Sequence, residues 1–244
     1  IYVMSDVEMN QMAWVWEKEL TITSYGVDPV TLSRGENFHT NTDPARQRYN
    51  PAMIEVGGET EQGTVSSLIL THIILDDMGK YEGEYFVQAD SEGDGETTVS
   101  RSEVPNTSIV QDAIIATYNG MGTITLGDGA ELRNYGGMSA VRLSGGELVM
   151  EEGSAILDTT ENEREKGASG SFGPAGAVWL QGGILTMNGG TIGGDKGVMM
   201  NGRALYADGG TANIGGTIQN IHGTDAAWQG QNGVAVHLRS HGEA

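Results

Sequence analysis

The sequence predicts an all-β fold, a right-handed parallel β-helix with about three short strands in each turn. Composition is the first observation behind this prediction. Of 244 residues, 38 are glycine and only 5 are proline, while 38% are hydrophobic. The recurring hydrophobic residues argue against a disordered chain. Glycine provides positive-φ corners at little steric cost, which suits many short strands joined by tight turns.

An internal repeat is the second observation. Five short apolar segments recur in the second half of the chain, each opening with alanine: Ala113, Ala140, Ala177, Ala204 and Ala235. Their starts are 27, 37, 27 and 31 residues apart. Since one such unit cannot bury its apolar residues alone, stacking of successive turns into a solenoid is expected.

The third observation is that two more strands follow each of the first four segments. The second strands are Thr123–Leu126, Glu147–Met150, Ile184–Met187 and Thr211–Ile214. A glycine pair precedes the last three of them: Gly145–Gly146, Gly182–Gly183 and Gly209–Gly210. The third strands centre on Leu132, Ile156, Ile192 and Ile218. Each turn is therefore predicted to hold three strands with glycine at the corners.

The first half of the chain fits the same scheme in two turns. One turn comprises Ala13–Trp16, Leu20–Thr23 and Val30–Leu32, and the next comprises Met53–Val56, Ser67–Leu70 and Ile73–Leu75. Polar stretches at about 33–51, 88–107 and 159–173 are predicted to be long loops. We expect a single domain over 1–244 that is a piece of a longer chain, and a split into two domains near residue 108 is the alternative.

Particular runs carry a resemblance to a known class of protein. The segments Gly122–Leu132 and Gly183–Ile192 resemble repeats of right-handed parallel β-helix surface proteins, adhesin-like, of gut-type Gram-positive bacteria. The segment Leu20–Ser24 is similar to their N-terminal turns. This resemblance implies a secreted or cell-surface location. The same architecture serves adhesins, polysaccharide-cleaving enzymes and inert stalks, so it does not choose among those functions.

Charge excludes several classes of partner. The formal net charge is −20, from 33 acidic and 13 basic residues. Such a surface repels phosphate backbones and anionic lipid headgroups, so nucleic acid is not an expected partner. No run of 18 apolar residues occurs, and membrane insertion is not expected. The absence of cysteine excludes a disulfide framework.

Strand alternation predicts one candidate binding surface. If Val141 and Leu143 point inward, Arg142 points outward. The equivalent outward residues in the other turns are then Ile115, Trp179, Tyr206 and His237. Exposed aromatic rings pack against the apolar faces of sugars, and polar groups bind the hydroxyls. We therefore predict a continuous platform that binds ligand through Arg142, Trp179, Tyr206 and His237. An ordinary structural stack of aromatic side chains is the alternative.

Metal sites have weak support in the sequence. The run Asp90–Glu96 has oxygen-bearing residues at alternate positions, but Arg101 occupies the twelfth position, where an EF-hand needs glutamate. Weak calcium binding by the acidic corners stays an alternative. The five histidines lack a zinc-ligand spacing, and His72, between apolar residues, is expected to be structural. No metal ligand or cofactor is therefore predicted.

Catalytic constellations are not evident either. A β-helix lyase or hydrolase needs two or three carboxylates, or a carboxylate with an arginine or lysine, converging on one exposed strand face. The repeated strands offer threonine, serine, asparagine and the isolated Arg133 and Arg142. The chain is predicted to be a non-catalytic surface binding module for a glycan or a host extracellular protein. A passive stalk and a polysaccharide lyase or glycoside hydrolase are the two alternatives.

Overall fold

The fold is a right-handed parallel β-helix, as the repeat predicts. The computed structural model describes residues 1–39, 52–57, 66–77, 89–90, 98–99, 113–118, 122–135, 139–157, 176–193, 203–219 and 234–238. Within these residues, 21 strands form three parallel sheets of seven strands each. The chain visits the first, second and third sheets in turn, so that three strands make one turn of the solenoid.

The strands of the three sheets alternate along the chain. The first sheet contains β1 (Tyr2–Val3), β4 (Glu19–Ser24), β7 (Ser66–Thr71), β12 (Gly122–Leu126), β15 (Glu147–Met150), β18 (Ile184–Met187) and β21 (Thr211–Ile214). The second contains β2 (Val7–Gln11), β5 (Val30–His39), β8 (Ile73–Asp76), β13 (Ala130–Arg133), β16 (Ala155–Leu157), β19 (Thr191–Ile192) and β22 (Thr217–Ile218). The third contains β3 (Ala13–Val15), β6 (Ile54–Gly57), β11 (Ala113–Tyr118), β14 (Ser139–Leu143), β17 (Val178–Leu180), β20 (Arg203–Ala207) and β23 (Val234–Leu238).

The core consists of aliphatic columns that run along the solenoid axis. In the first sheet, Leu68, Ile124, Leu148 and Leu185 pair with one another in successive turns, and all four are fully buried. Neighbouring strands lie about 4.8 Å apart, so each of these side chains contacts its equivalents above and below. The core is therefore continuous through stacked turns.

The glycine pairs are required by this stacking. Gly146, Gly183 and Gly210 all have positive φ, at 71°, 78° and 81°. At Gly210, a Cβ atom would lie 2.6 Å from the carbonyl oxygen of Gly183 in the preceding turn. Any larger residue would therefore be strained in its backbone and would collide with the neighbouring turn.

One predicted equivalence is wrong by a single residue. Ile115 pairs with Val141 rather than with Arg142, and both Ile115 and Val141 are fully buried. Ala116 is the residue that pairs with Arg142. Ile115 is therefore a core residue and does not belong to the predicted outward row.

The predicted long loops contain some strand. β5 continues as far as His39, with an irregular register against β2 between Met9 and Gln11, so the first part of the 33–51 segment is extended. In the 88–107 segment, β9 (Ala89–Asp90) and β10 (Thr98–Val99) form an antiparallel pair. Residues 40–51 and the whole 159–173 segment lie outside the described residues.

A buried ion pair lies beside the core at the end of the second sheet. Arg34 Nε donates to Asp77 Oδ1, and the side chains are 7% and 0% exposed. The Arg34 guanidinium also lies 4.2 Å from the centre of the Phe38 ring and donates from Nη2 to the carbonyl oxygen of Ala113 at 3.3 Å. Removing either charged partner would leave the other charge buried, which is strongly destabilising.

Candidate functional site

The outer face of the third sheet brings the four predicted binding residues into one row. Arg142 pairs with Trp179, Trp179 with Tyr206, and Tyr206 with His237. We call these four residues the outer column. Their strands are β14, β17, β20 and β23, which are consecutive members of the sheet. The outer column therefore spans about 14 Å along the solenoid axis, since parallel strands lie about 4.8 Å apart.

In β14, β17 and β20, the member of the outer column points away from the core because both of its neighbours on the strand are buried, whereas in β23, the last strand of the sheet, the neighbours Val236 and Leu238 are exposed. On either side of Trp179, Val178 and Leu180 are fully buried, whereas Trp179 is half-buried. The other members of the outer column are half-buried as well. Partial burial gives these side chains a supported base and an accessible edge, which is the state that a binding residue needs.

The outer column ends where a small residue replaces the large ones. Ala116 is the next residue beyond Arg142, and it is only 1% exposed. It packs with Ala52 and Ala113 in a small apolar cluster separate from the main core. The row continues with Glu55, one turn beyond Ala116, and with Trp14, one turn farther again. Among the described residues of this row, the outer column is therefore the longest stretch of consecutive large, accessible side chains.

The rings of the outer column do not form one flat surface. The Tyr206 and His237 rings are 5.1 Å apart between centroids, with an interplanar angle of 78°. This edge-to-face arrangement is a favourable geometry for aromatic pairs. It contradicts the continuous platform expected from strand spacing alone. A ligand stacked on Tyr206 would meet the edge or the rim of His237 rather than a coplanar ring.

A second row of side chains flanks the outer column and was missed in the sequence. Ser144, Gln181 and Asp208 each come two residues after a member of the outer column, directly beyond the paired positions Leu143, Leu180 and Ala207. We call these three residues the flanking row. These residues lie in the bend that follows each strand, and a polar residue recurring directly after the apolar end of the strand was the signal that could have found them.

The flanking row supplies hydrogen-bonding groups next to the rings. Asp208 Oδ2 accepts a hydrogen bond from Trp179 Nε1 at 3.2 Å. Gln181 is exposed, and the Ser144 hydroxyl donates to the Thr117 carbonyl oxygen at 2.7 Å. Aromatic surface and polar groups therefore lie side by side on one edge of the solenoid.

A charged group on the second sheet differs from the sequence expectation. Arg133, which was expected to be isolated, lies opposite Asp76 on the neighbouring strand. Its Nε also donates a hydrogen bond to Glu131 Oε2 at 2.6 Å. Asn134 Nδ2 donates to both carboxylate oxygens of Asp76, at 3.0 and 3.1 Å. Because neighbouring side chains already bind the carboxylates of Asp76 and Glu131, we expect these two residues to have a structural role rather than to act as a catalytic acid or base.

Known proteins offer no guide to this site. The chain matches no family model, no curated protein and no solved structure. In the part of the chain that the structure describes, no helix is long and apolar enough to cross a membrane. What the site does must therefore be argued from its own geometry.

Calcium is expected to have a weak effect on stability. Among the described residues, no cluster of three or more acidic or histidine side chains could hold a metal ion. Asp90, the first residue of the acidic run, lies in β9 and pairs with Thr98, while residues 91–97 lie outside the described residues. Melting temperatures in excess chelator and in millimolar calcium should differ by about 3 °C or less. A shift of roughly 15 °C or more would contradict this prediction and reveal a structural ion site.

Proposed function

We propose that this chain is a non-catalytic, adhesin-like binding module of the cell surface or the secreted medium, and that its ligand is a glycan. The observation that carries the proposal is the outer column, in which Arg142, Trp179, Tyr206 and His237 follow one another in register, each half-buried. A solenoid needs no large aromatic side chains on its solvent side for stability, because its core is already continuous.

The chemistry of this surface suits sugars. A pyranose ring has an apolar face that packs on an aromatic ring, and its hydroxyls need hydrogen-bond partners around that ring. Trp179 and Tyr206 supply the aromatic surface, and the flanking row supplies an amide, a carboxylate and a hydroxyl. The repeat along the axis, about 4.8 Å per strand, is close to the length of one sugar unit, so an extended oligosaccharide would contact several turns.

The test begins with a glycan array and a panel of host extracellular proteins, screened with the intact chain. A glycan that binds in this screen is then titrated into the wild type and into two variants, each of which lacks one side-chain amide. Gln181→Ala lies in the flanking row and should weaken binding about fivefold, because a lost hydrogen bond costs about 1 kcal/mol. Asn213→Ala removes an exposed amide from the first sheet, on a different face, and should leave the affinity unchanged.

The alternative functions predict different outcomes. Release of reducing ends or unsaturated products from polysaccharides would identify an enzyme and contradict the proposal. Absence of any ligand on both panels would favour a passive spacer. If a host protein binds and neither Gln181→Ala nor Asn213→Ala weakens that binding, the interface would have to lie elsewhere than on the third sheet.

A further inference from the structure

The core of the solenoid is open at both of its ends. We call β1, β2 and β3 the first turn and β21, β22 and β23 the last turn. In the first sheet, the inward residues that pair through successive turns are Ile22, Leu70, Leu126, Met150, Met187 and Ile214. The first five are buried, whereas Ile214 in the last turn is 44% exposed. Because Tyr2 pairs with Thr23, the preceding residue Ile1 lies opposite Ile22, and Ile1 is also exposed.

The other two sheets have the same pattern. The inward column of the second sheet begins with Val7 in the first turn and ends with Ile218 in the last turn. The column of the third sheet begins with Ala13 and ends with Val236. The residues between the two ends of each column are buried, whereas Val7, Ala13 and Val236 are exposed and Ile218 is half-buried. Each sheet therefore presents an apolar residue and an open strand edge at both ends.

The last turn consists of uncharged residues. Apart from His237, its described residues, 211–219 and 234–238, are aliphatic, glycine, hydroxyl or amide residues. Natural proteins commonly shield an exposed strand edge with charged side chains, and the terminal repeats of solenoids commonly have a polar outer face. The composition of this end is instead that of an inner turn, which has another turn packed on it.

The first turn of a second copy has the surface that fits this end. Each turn contacts the next through parallel strand pairs in all three sheets. The first turn starts in the first sheet and the last turn finishes in the third, so a first turn placed on a last turn continues the three sheets in sequence. The residues that would meet across this contact are Ile1 with Ile214, Val7 with Ile218, and Ala13 with Val236. The contact would therefore repeat the packing between turns inside the chain.

On these grounds we infer that copies of this chain stack head to tail, with the first turn of one copy on the last turn of another. Two different surfaces meet in such a contact, so every assembly keeps one free end of each kind and can grow further. The terminal amine of Ile1 donates to the Thr21 carbonyl oxygen of the second turn at 2.5 Å, away from the contact. The net charge of −20 on each copy opposes stacking, and salt screens this repulsion, so stacking should strengthen as the salt concentration rises.

Stacking would also lengthen the outer column. With Ala13 of the second copy on Val236, Trp14 of the second copy would lie opposite His237. Trp14 is exposed and lies in the outward row of the third sheet to which the outer column belongs. The second copy would thus add an aromatic ring to the end of the candidate site. The inference goes beyond the proposed function and does not depend on what the outer column binds.

The test is sedimentation velocity of the full 244-residue chain at concentrations from about 1 to 100 μM, in low and in high salt. The average mass of the wild type should rise with concentration beyond that of a dimer. Val7→Lys and Ile214→Lys each block one end. These residues are 42% and 44% exposed, so each lysine can reach solvent in the single chain but would be buried as a charge in the contact. Each variant alone should stay monomeric.

The matched control is Ile184→Lys. Ile184 is 42% exposed and lies on the strand next to that of Ile214, but it pairs with Glu147 and Thr211 on the outer face of the first sheet. This variant should assemble as the wild type does. Circular dichroism and melting of every variant separate lost assembly from lost folding. If Ile214→Lys does not fold, Leu238→Lys, in the same turn and 72% exposed, takes its place.

An equimolar mixture of the two blocked variants distinguishes head-to-tail stacking from other contacts. Val7→Lys keeps an intact last turn and Ile214→Lys keeps an intact first turn, so the mixture should form dimers with one copy of each and nothing longer. A wild type that is monomeric at all concentrations, or blocked variants that assemble as the wild type does, would overturn the inference. Assembly that stops at a dimer and is lost in only one of the two blocked variants would overturn it as well, because one end would then contact its own equivalent.

Discussion

Replacing Ile124 by aspartate is expected to lower the free energy of unfolding by about 4 kcal/mol or more, because an aliphatic side chain is lost and a carboxyl group is buried without a partner. Ile124 is fully buried and pairs with Leu68 on one side and Leu148 on the other. The aspartate would either be charged in an apolar column or stay protonated at neutral pH, and both states are costly.

The adjacent residue provides a matched control. Thr125 follows Ile124 on the same strand, lies on the outer face and pairs with Ile69 and Val149. Thr125→Asp introduces the same group only one residue away, and it should cost about 1 kcal/mol or less, the usual range for a solvent-side strand position.

The measurement is urea unfolding of the wild type and both variants, followed by circular dichroism. Similar losses of stability in Ile124→Asp and Thr125→Asp would contradict the assignment of the two faces. A large loss confined to Ile124→Asp would support it. Because a solenoid is stabilised turn by turn, a broadened or two-step transition in Ile124→Asp would indicate that the turns nearest the substitution unfold first.

The repeat allowed much of the fold to be predicted. Strands such as Gly122–Leu126 and Ala130–Arg133 have period-two apolar patterns with a glycine at or just before their first residue, and that combination defines both the strand and its inward face. The physical reason is that every turn must fill the same cross-section, so the same pattern recurs. Because the same pattern recurs in several turns, the strands can be identified together even though any single short strand would be ambiguous.

Register between turns was harder to predict. Two isoleucines, Ile114 and Ile115, stand together in β11, and either could have been taken as the inward residue that matches Val141. Aligning the alanines Ala113 and Ala140 selected the wrong one by one place, because the ladder pairs Ala113 with Ser139. Corner lengths vary from turn to turn, and only the hydrogen bonds between strands settle such a shift.

Contacts between distant side chains could not be predicted at all. Trp179 and Asp208 are 29 residues apart, and Arg34 and Asp77 are 43 apart. Nothing local in the sequence marks either pair, because each depends on how one turn lies over the next. The tilt between the Tyr206 and His237 rings is of the same kind, since side-chain rotation about its own bonds is independent of strand spacing.

Loss of both central rings of the outer column should abolish most of the proposed glycan binding. Trp179 and Tyr206 are paired neighbours on β17 and β20, so one sugar chain would contact both. We expect the double variant Trp179→Ala/Tyr206→Ala to weaken binding by about 2–4 kcal/mol, or roughly 30- to 1,000-fold, as truncation of central aromatic residues commonly does. The effect should exceed that of Gln181→Ala, because apolar ring contact is lost as well as a polar partner.

The control for this double variant removes the same two residue types elsewhere. Trp16 and Tyr25 are 45% and 69% exposed and lie near the N-terminal end of the solenoid, outside the outer column. Trp16→Ala/Tyr25→Ala should bind the glycan as the wild type does. Affinities are measured by calorimetry, with circular dichroism and melting recorded on the same samples so that lost binding is not confused with lost structure. If Trp179→Ala/Tyr206→Ala stays folded and binds unchanged, the outer column is not the glycan site. In that case the rings serve only to cover the side of the third sheet, and the ligand must be sought on another face.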